Sequence, residues 1–474
     1  MLGQIIKLEA AFLALPLIVS LCYGEQKSVF AFLITICISL AVGFAMTLIF
    51  KAKNRVIYAK EGLVIVALAW VSMSAIGALP FVLSGDIPSY INAFFETVSG
   101  FTTTGASILT NVEELSHGTL FWRSFTHWIG GMGVLVFIMA IIPSVSDRSI
   151  HIMRAEMPGP IVGKIVPRAK QTAKILYLIY IAMTVIEIIL LLCGDLSFFD
   201  SVVHTFGTAG TGGFGVYSDS IASFSPYSQW VITIFMVLFG VNFNLYYLLL
   251  IKRFRSAISS SELWCYIGIL LASTAIISAN IYPLYNNLTD TVRYSAFQVS
   301  SIMTTTGFST VNFDTWPELS KGILLVLMFI GACSGSTGGG LKVSRVVMFF
   351  KIIKRELKRM IHPRSVSTVK IEGKTIDDVT LNSVSTYFLL YILLFALIFL
   401  LLCLEPFDFE TNFSAVAACI NNIGPGFGMV GPAGSFAAYS WLSKLGLSLA
   451  MLLGRLEIYP ILFALIPSTW TKNK

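Results

Sequence analysis

Long apolar runs alternate with short polar breaks along most of this chain. A helix that crosses a bilayer needs about 20 mostly apolar residues. Runs near 2–22, 29–50, 61–83, 120–143, 173–194, 227–251, 263–282, 321–350, 383–404 and 439–466 reach that length, which predicts ten crossings. Four further stretches, near 88–101, 197–209, 290–303 and 411–421, are helical in pattern but too short to cross. A short helix at membrane depth is tolerated only where the backbone that follows is buried in protein or lines a water-filled cavity.

The last eight runs group into four units of helix, short helix, polar glycine-rich loop and helix. The loops align in sequence as Thr103-Thr104-Gly105, Thr211-Gly212-Gly213, Thr305-Thr306-Gly307 and Asn422-Ile423-Gly424, with one glycine at the same place in all four. Such a repeat about an axis along the membrane normal brings the loops together on that axis. Four loops there can ring a pore with backbone carbonyls, which replace the water oxygens an alkali cation loses without adding fixed negative charge. The predicted fold is an all-α integral membrane protein with an N-terminal helix pair (1–55). Four repeats of helix, pore helix, filter loop and helix follow at 56–150, 151–258, 259–365 and 366–474, around a central pore.

Composition agrees with the pattern. The chain has 474 residues, 56% hydrophobic and only 12% charged, and a mean hydropathy of +0.81. Soluble domains average about 25% charged residues. Long apolar runs indicate helices rather than a β-barrel. The net charge of +7 comes from basic connecting segments, and no basic run is interleaved with aromatic residues as nucleic-acid binding would require. Lys and Arg crowd residues 51–60, 144–171, 252–255 and 342–374, whereas 84–118, 195–226 and 405–440 contain none. By the positive-inside rule both termini are cytoplasmic and all four short helices lie outside. The outer segments are acidic, which favours cations, and each short helix turns the negative end of its dipole toward its loop. The seven cysteines and five histidines are scattered, with no metal or disulfide spacing. The N-terminal run has no cleavage site and reads as a retained helix.

The eighth run is interrupted by "FIGACSGSTGGGLKVSR", small from Gly331 to Gly340. Three consecutive glycines inside a helix cost about 1 kcal/mol each relative to alanine, so the run reads as a broken helix whose middle, Gly335, Ser336, Thr337, Gly338, Gly339 and Gly340, forms a loop in the pore. Arg455 and Glu457 lie deep in the last run. Intramembrane charges mark functional sites, and a positive charge below the filter raises a barrier that a moving loop modulates. Two residues apart on a helix, they do not face each other and need separate partners. The basic stretch 351–365 faces anionic lipid headgroups or a cytosolic partner.

Six segments, "TVSGFTTTGAS", "HWIGGMGVLVF", "GTAGTGGFGVYSDS", "MTTTGFSTVNFDTWP", "SGSTGGGLKVSR" and "NNIGPGFGMVGP", together with the extra helix pair, give the chain a full-length resemblance to the TrkH/TrkG/KtrB superfamily of potassium transporters, and to the TrkH branch more than KtrB. The resemblance implies potassium uptake through a pore in one subunit and a bacterial inner-membrane location. It also implies a homodimer, a cytosolic nucleotide-binding regulatory ring of the TrkA type, a gating role for the 335–340 loop and Arg455, and no organic cofactor. Loop four departs from the pattern, since Asn422 and Ile423 replace threonines, and this predicts weaker selectivity than a symmetric tetrameric channel has. Two alternatives stay open: a symporter coupling potassium to sodium or protons, and the potassium-binding subunit of a primary pump. No phosphate loop, H-E-x-x-H or nucleophile elbow occurs in a fitting context, so an enzyme is not expected.

Overall fold

The computed structural model describes residues 1–49, 59–133, 169–363, 368–371 and 374–470. Within these, helices dominate, and the strands are a two-residue antiparallel pair, Lys370–Ile371 with Lys374–Thr375. Among the described residues, six helical segments are long and apolar enough to cross a membrane: Leu2–Cys22, Gln26–Ile49, Lys60–Ser84, Ala173–Leu192, Ser261–Tyr285 and Asp378–Leu402. The first is interrupted at Leu13, close to Pro16, whose ring cannot pass the carbonyl four residues back.

The other expected crossings are not simple rods, and each departure has a local cause. The 227–251 run, expected as one helix, is Pro226–Phe239 and Phe243–Leu250, bent by 88°. Asn242 caps the second piece through its side-chain oxygen, which accepts from the Asn244 N–H at 2.9 Å. The 321–350 run is Glu318–Ile330 and Val343–Ile361, separated by a non-helical segment at 331–342. The 439–466 run is Trp441–Arg455 and Tyr459–Leu465, parted where Glu457 and Ile458 take φ values of +55° and +68°. The 120–143 run begins as His117–Gly131, and its remainder lies outside the described residues.

The four short stretches form helices Tyr90–Phe101, Phe198–Gly210, Leu288–Met303 and Phe409–Ile420, of 12, 13, 16 and 12 residues. Their C-terminal halves are buried except for the half-buried Phe206 and Ala296. Each helix–short helix–loop–helix unit is tied across one end by one polar residue, placed before the short helix, that binds the N-terminal turn of the helix after it. Asp86 accepts from Ser116 and Thr119, and Asp195 from Ser225 and Ser228. Asn280 accepts from Ser320, and Glu405 from Ser440 and Ser443. Helix N-termini carry unpaired N–H groups and partial positive charge, so carboxylates bind well there. Part of the acidity expected outside from the sequence is therefore structural.

At Asp195, burial alone would raise the carboxyl pKa, but hydrogen bonds from Ser225 and Ser228 outweigh it and hold it below the ordinary carboxylate range. The stabilisation is complete above the unfolded value near ~4 and is lost as pH falls through the lower folded value. Asp195 is exposed, so Asp195→Ala is expected to cost no more than about 1 kcal/mol at neutral pH. Thermal unfolding in detergent should show a gap from the parent protein that closes on acidification below about pH 4.

Candidate functional site: a ring of four loops above a plugged cavity

Each short helix ends in the same way. The N–H of Thr104, Gly212, Thr306 and Ile423 donates to the carbonyl five residues back, Ser99, Gly207, Ser301 and Ala418, at 2.8–2.9 Å. The residue before it, Thr103, Thr211, Thr305 or Asn422, is left-handed, with φ of +55° to +60°. This is a Schellman stop, a place that normally takes Gly or Asn. Three of the four residues are threonine, for which a positive φ is a true outlier. Strain on the order of 1–3 kcal/mol at each is held by the surrounding structure, a pattern concentrated at functional sites.

Two residues on, Gly105, Gly213, Gly307 and Gly424 also have positive φ, from +77° to +102°. A β-carbon built on Gly105 would lie 2.0 Å from the Gly212 carbonyl oxygen. One on Gly213 would lie 2.1 Å from that of Thr306, one on Gly307 2.0 Å from that of Ile423, and one on Gly424 2.8 Å from that of Thr104. The contacts run from loop one to two, three, four and back to one, so the loops close a ring. The same four glycines line a single cavity of about 190 Å³.

Four of the threonine hydroxyls pair with one another within this ring. Thr102 Oγ1 pairs with Thr104 Oγ1, and Thr304 Oγ1 with Thr306 Oγ1, both at 2.8 Å. In loop four the Asn422 amide takes over, donating to Thr104 Oγ1 and to the Met451 carbonyl at 2.9 Å each.

Behind loops one and two lies a buried ion pair. Arg123 Nε meets Glu96 Oε1 at 2.6 Å, with side-chain exposures of 4% and 0%. Glu96 also accepts from Ser107 Oγ at 2.9 Å and the Ile108 N–H at 3.0 Å. Arg123 donates to the Gly215 carbonyl at 3.1 Å and covers the Phe214 ring. His127 stands beside them, with Nδ1 2.7 Å from the Gly100 carbonyl oxygen and its ring against Gly212.

The 331–342 segment packs against the ring at loops three and four. The Gly339 N–H donates to Thr305 Oγ1 at 2.6 Å. β-carbons on Gly338 and Gly339 would strike the carbonyl oxygens of Thr304 and Asn421 at 2.9 and 2.4 Å. The 88° bend in the second repeat receives the segment, with Cys333 N–H donating to the Gly240 carbonyl and Phe243 N–H to that of Gly335. Glu262 clamps its base by accepting from the N–H groups of Ser334 and Ser344 at 2.7 and 3.2 Å.

Arg455 donates to the carbonyls of Thr337, Gly130 and Gly131 at 2.6–2.8 Å, joining the segment to the first repeat. Glu457 pairs instead with Arg345 at 2.6 Å. Lys342 and Arg345, counted from sequence among the cytoplasmic basic residues, are buried; the Lys342 ammonium donates to the Gly338 carbonyl. A second cavity, of about 40 Å³, lies beneath, lined by Gly335, Ser336, Gly338, Lys342, Arg455 and Glu457 among others. The predicted filter residues thus share one ring, and the predicted gate residues sit directly under it.

Sequence reasoning passed over Glu96, Arg123, His127, Glu262, Lys342 and Arg345. Arg123 carried the signal already read at Arg455, a charge inside an apolar run. Glu96 was grouped with the outer acids, although it sits on the buried half of a short helix.

A family model for cation transport proteins, TrkH, matches residues 28–265 and 278–472. The chain belongs to the TrkH family. Within that family it is 36% identical over 474 residues to the Trk system potassium uptake protein TrkH of Salmonella typhimurium, covering 99% of this chain and 98% of that one. It is 33% identical to the Trk system potassium uptake protein TrkG of Escherichia coli K12, covering 99% and 97%. The crystal structure of the potassium transporter TrkH from Vibrio parahaemolyticus superposes with a TM-score of 0.88 at 32% identity, covering 99% and 98%. These TrkH-family relatives are transporters and not enzymes.

Removing one partner of a buried ion pair typically costs about 3–5 kcal/mol. Arg123→Ala should therefore lower thermal stability by that order and reduce cation discrimination in flux assays. Arg123→Lys, which keeps the charge but loses the contact with Gly215, should spare stability more than discrimination.

Proposed function

We propose that this chain is the ion-conducting subunit of a potassium-uptake system, passing K⁺ through the ring at Thr103–Gly105, Thr211–Gly213, Thr305–Gly307 and Asn422–Gly424. The observation that carries the reading is the closed ring of four loops, each with a left-handed residue at the same place and a glycine packed on the next loop's carbonyl. A bare cation entering the ring needs oxygens in place of its hydration shell, and backbone carbonyls supply them. Four helix C-termini converge there, and their dipoles favour positive charge.

The 335–340 loop closes the path from below. Arg455 adds a positive barrier and, through Thr337, holds the loop in place. Opening requires the loop to leave Thr305, Gly240 and Arg455. The short helices then face outward and both termini face the cytoplasm of a bacterial inner membrane. The working form is a homodimer under a TrkA-type nucleotide-binding ring. Coupling to sodium or protons is the second reading. The placement of most acids outside or in structural hydrogen bonds favours a pore.

Rubidium-86 uptake into potassium-loaded liposomes holding the purified protein separates the two. A pore predicts uptake that follows the potassium gradient alone and is competed by external potassium over sodium. Uptake that demands a sodium or proton gradient would replace it with a symporter. In the same assay Gly307→Ala, which places a methyl 2.0 Å from the Ile423 carbonyl oxygen, should abolish selectivity or flux. Gly424→Ala, where the gap is 2.8 Å, should do less harm. Gly307→Ser should likewise weaken potassium preference. Deleting Gly335 to Gly340 should raise flux, and unaltered or lower flux in a folded deletion would argue against a gate there.

A further inference from the structure

The helix Val343–Ile361 leaves the gate segment and carries two different faces away from the protein. One is apolar. Phe350, Ile353, Leu357, Met360 and Ile361 are each more than half exposed. The other is basic, with Lys351, Lys354, Arg355 and Lys358. At about 100° per residue the lysine stripe lies roughly a quarter-turn round the helix from the apolar one. The basic face forms one wall of a cleft of about 410 Å³, whose other wall is Thr368, Val369 and Lys370.

The cleft is built rather than incidental. Lys351 donates to the Lys370 carbonyl at 2.7 Å, which joins the two walls, and Val369 is buried at its floor. Arg355 is engaged by Glu356 and Asp378. No acidic side chain lines the cleft or forms an ion pair with Lys354, Lys358 or Lys370 among the described residues.

We propose that this cleft binds the phosphate of an anionic phospholipid, with an acyl chain lying along the adjoining apolar stripe. A phosphate diester suits three ammonium groups that form no ion pair among the described residues, in a pocket of this size. A free anion would account for the lysines but leave the apolar stripe unexplained. A helix with a basic face beside an apolar face is the form that lies in a membrane interface, and positive charge there selects anionic lipid. The site rests on the cytoplasmic placement proposed above. Because the helix starts at the foot of the gate segment, occupancy bears directly on that segment's anchor.

Native mass spectrometry of the full chain, released from phosphatidylcholine vesicles with and without phosphatidylglycerol, tests this independently of ion flux. The expected result is preferential retention of phosphatidylglycerol. Retention should weaken about fivefold for each lysine removed in Lys354→Gln, Lys358→Gln and Lys370→Gln, and be kept in the matching arginine variants. Leu357→Gln should weaken retention without changing the oligomeric state. Rubidium flux in phosphatidylcholine vesicles, unchanged in the glutamine variants, confirms that they fold. Equal retention of the two lipids, or retention indifferent to the lysines, would overturn the proposal. So would displacement of the lipid by inorganic phosphate, which would make this a soluble-anion site. Loss of a dimer in Leu357→Gln with lipid retention intact would assign the apolar stripe to a second copy and also overturn it.

Discussion

The structure depends on a distance of about one atom between neighbouring loops. At Gly105, Gly213 and Gly307 the position of a β-carbon falls 2.0–2.1 Å from the next loop's carbonyl oxygen. No side chain fits there, and the φ values there are costly for any L-residue with a side chain. The ring closes only because all four repeats deliver a glycine to the same height with the same backbone turn.

Much of the remaining architecture holds that height fixed. Short helices end in identical hydrogen bonds, and a polar residue before each short helix anchors the helix that follows. Left-handed threonines are unfavourable alone, yet each is locked by the bond of the residue after it. In lipid an unsatisfied backbone group costs several kcal/mol. The irregular loops persist because their polar atoms are buried against other loops and against the 331–342 segment. That segment follows the same logic from below. Its carbonyls and N–H groups are taken up by Arg455, Glu262, Thr305 and the bend at Gly240. Displacing it requires several of those bonds to break together.

The fold class, the four short helices and the alignment of the loops were legible because period and length carry them. A 12–16-residue helix between spans, followed by Thr-Thr-Gly or an equivalent, is a local pattern. The break around Gly335–Gly340 was legible for the same reason. The bend at Gly240–Asn242 was not, because the apolar run continues through it and only the Asn242 cap marks it. The roles of Lys342 and Arg345 were hidden by their sequence position next to truly exposed lysines; their burial follows from where the helix restarts. The Glu96–Arg123 pair joins residues 27 apart, a tertiary fact that no periodicity contains.

The most direct test of the ring as an ion path is to find the ion in it. Crystals grown in rubidium and measured at the rubidium absorption edge locate bound ions by anomalous scattering. The account predicts peaks on the axis enclosed by Thr104, Gly212, Thr306 and Ile423, above the Gly338–Gly339 segment. Peaks confined to other positions, with none on that axis, would contradict it.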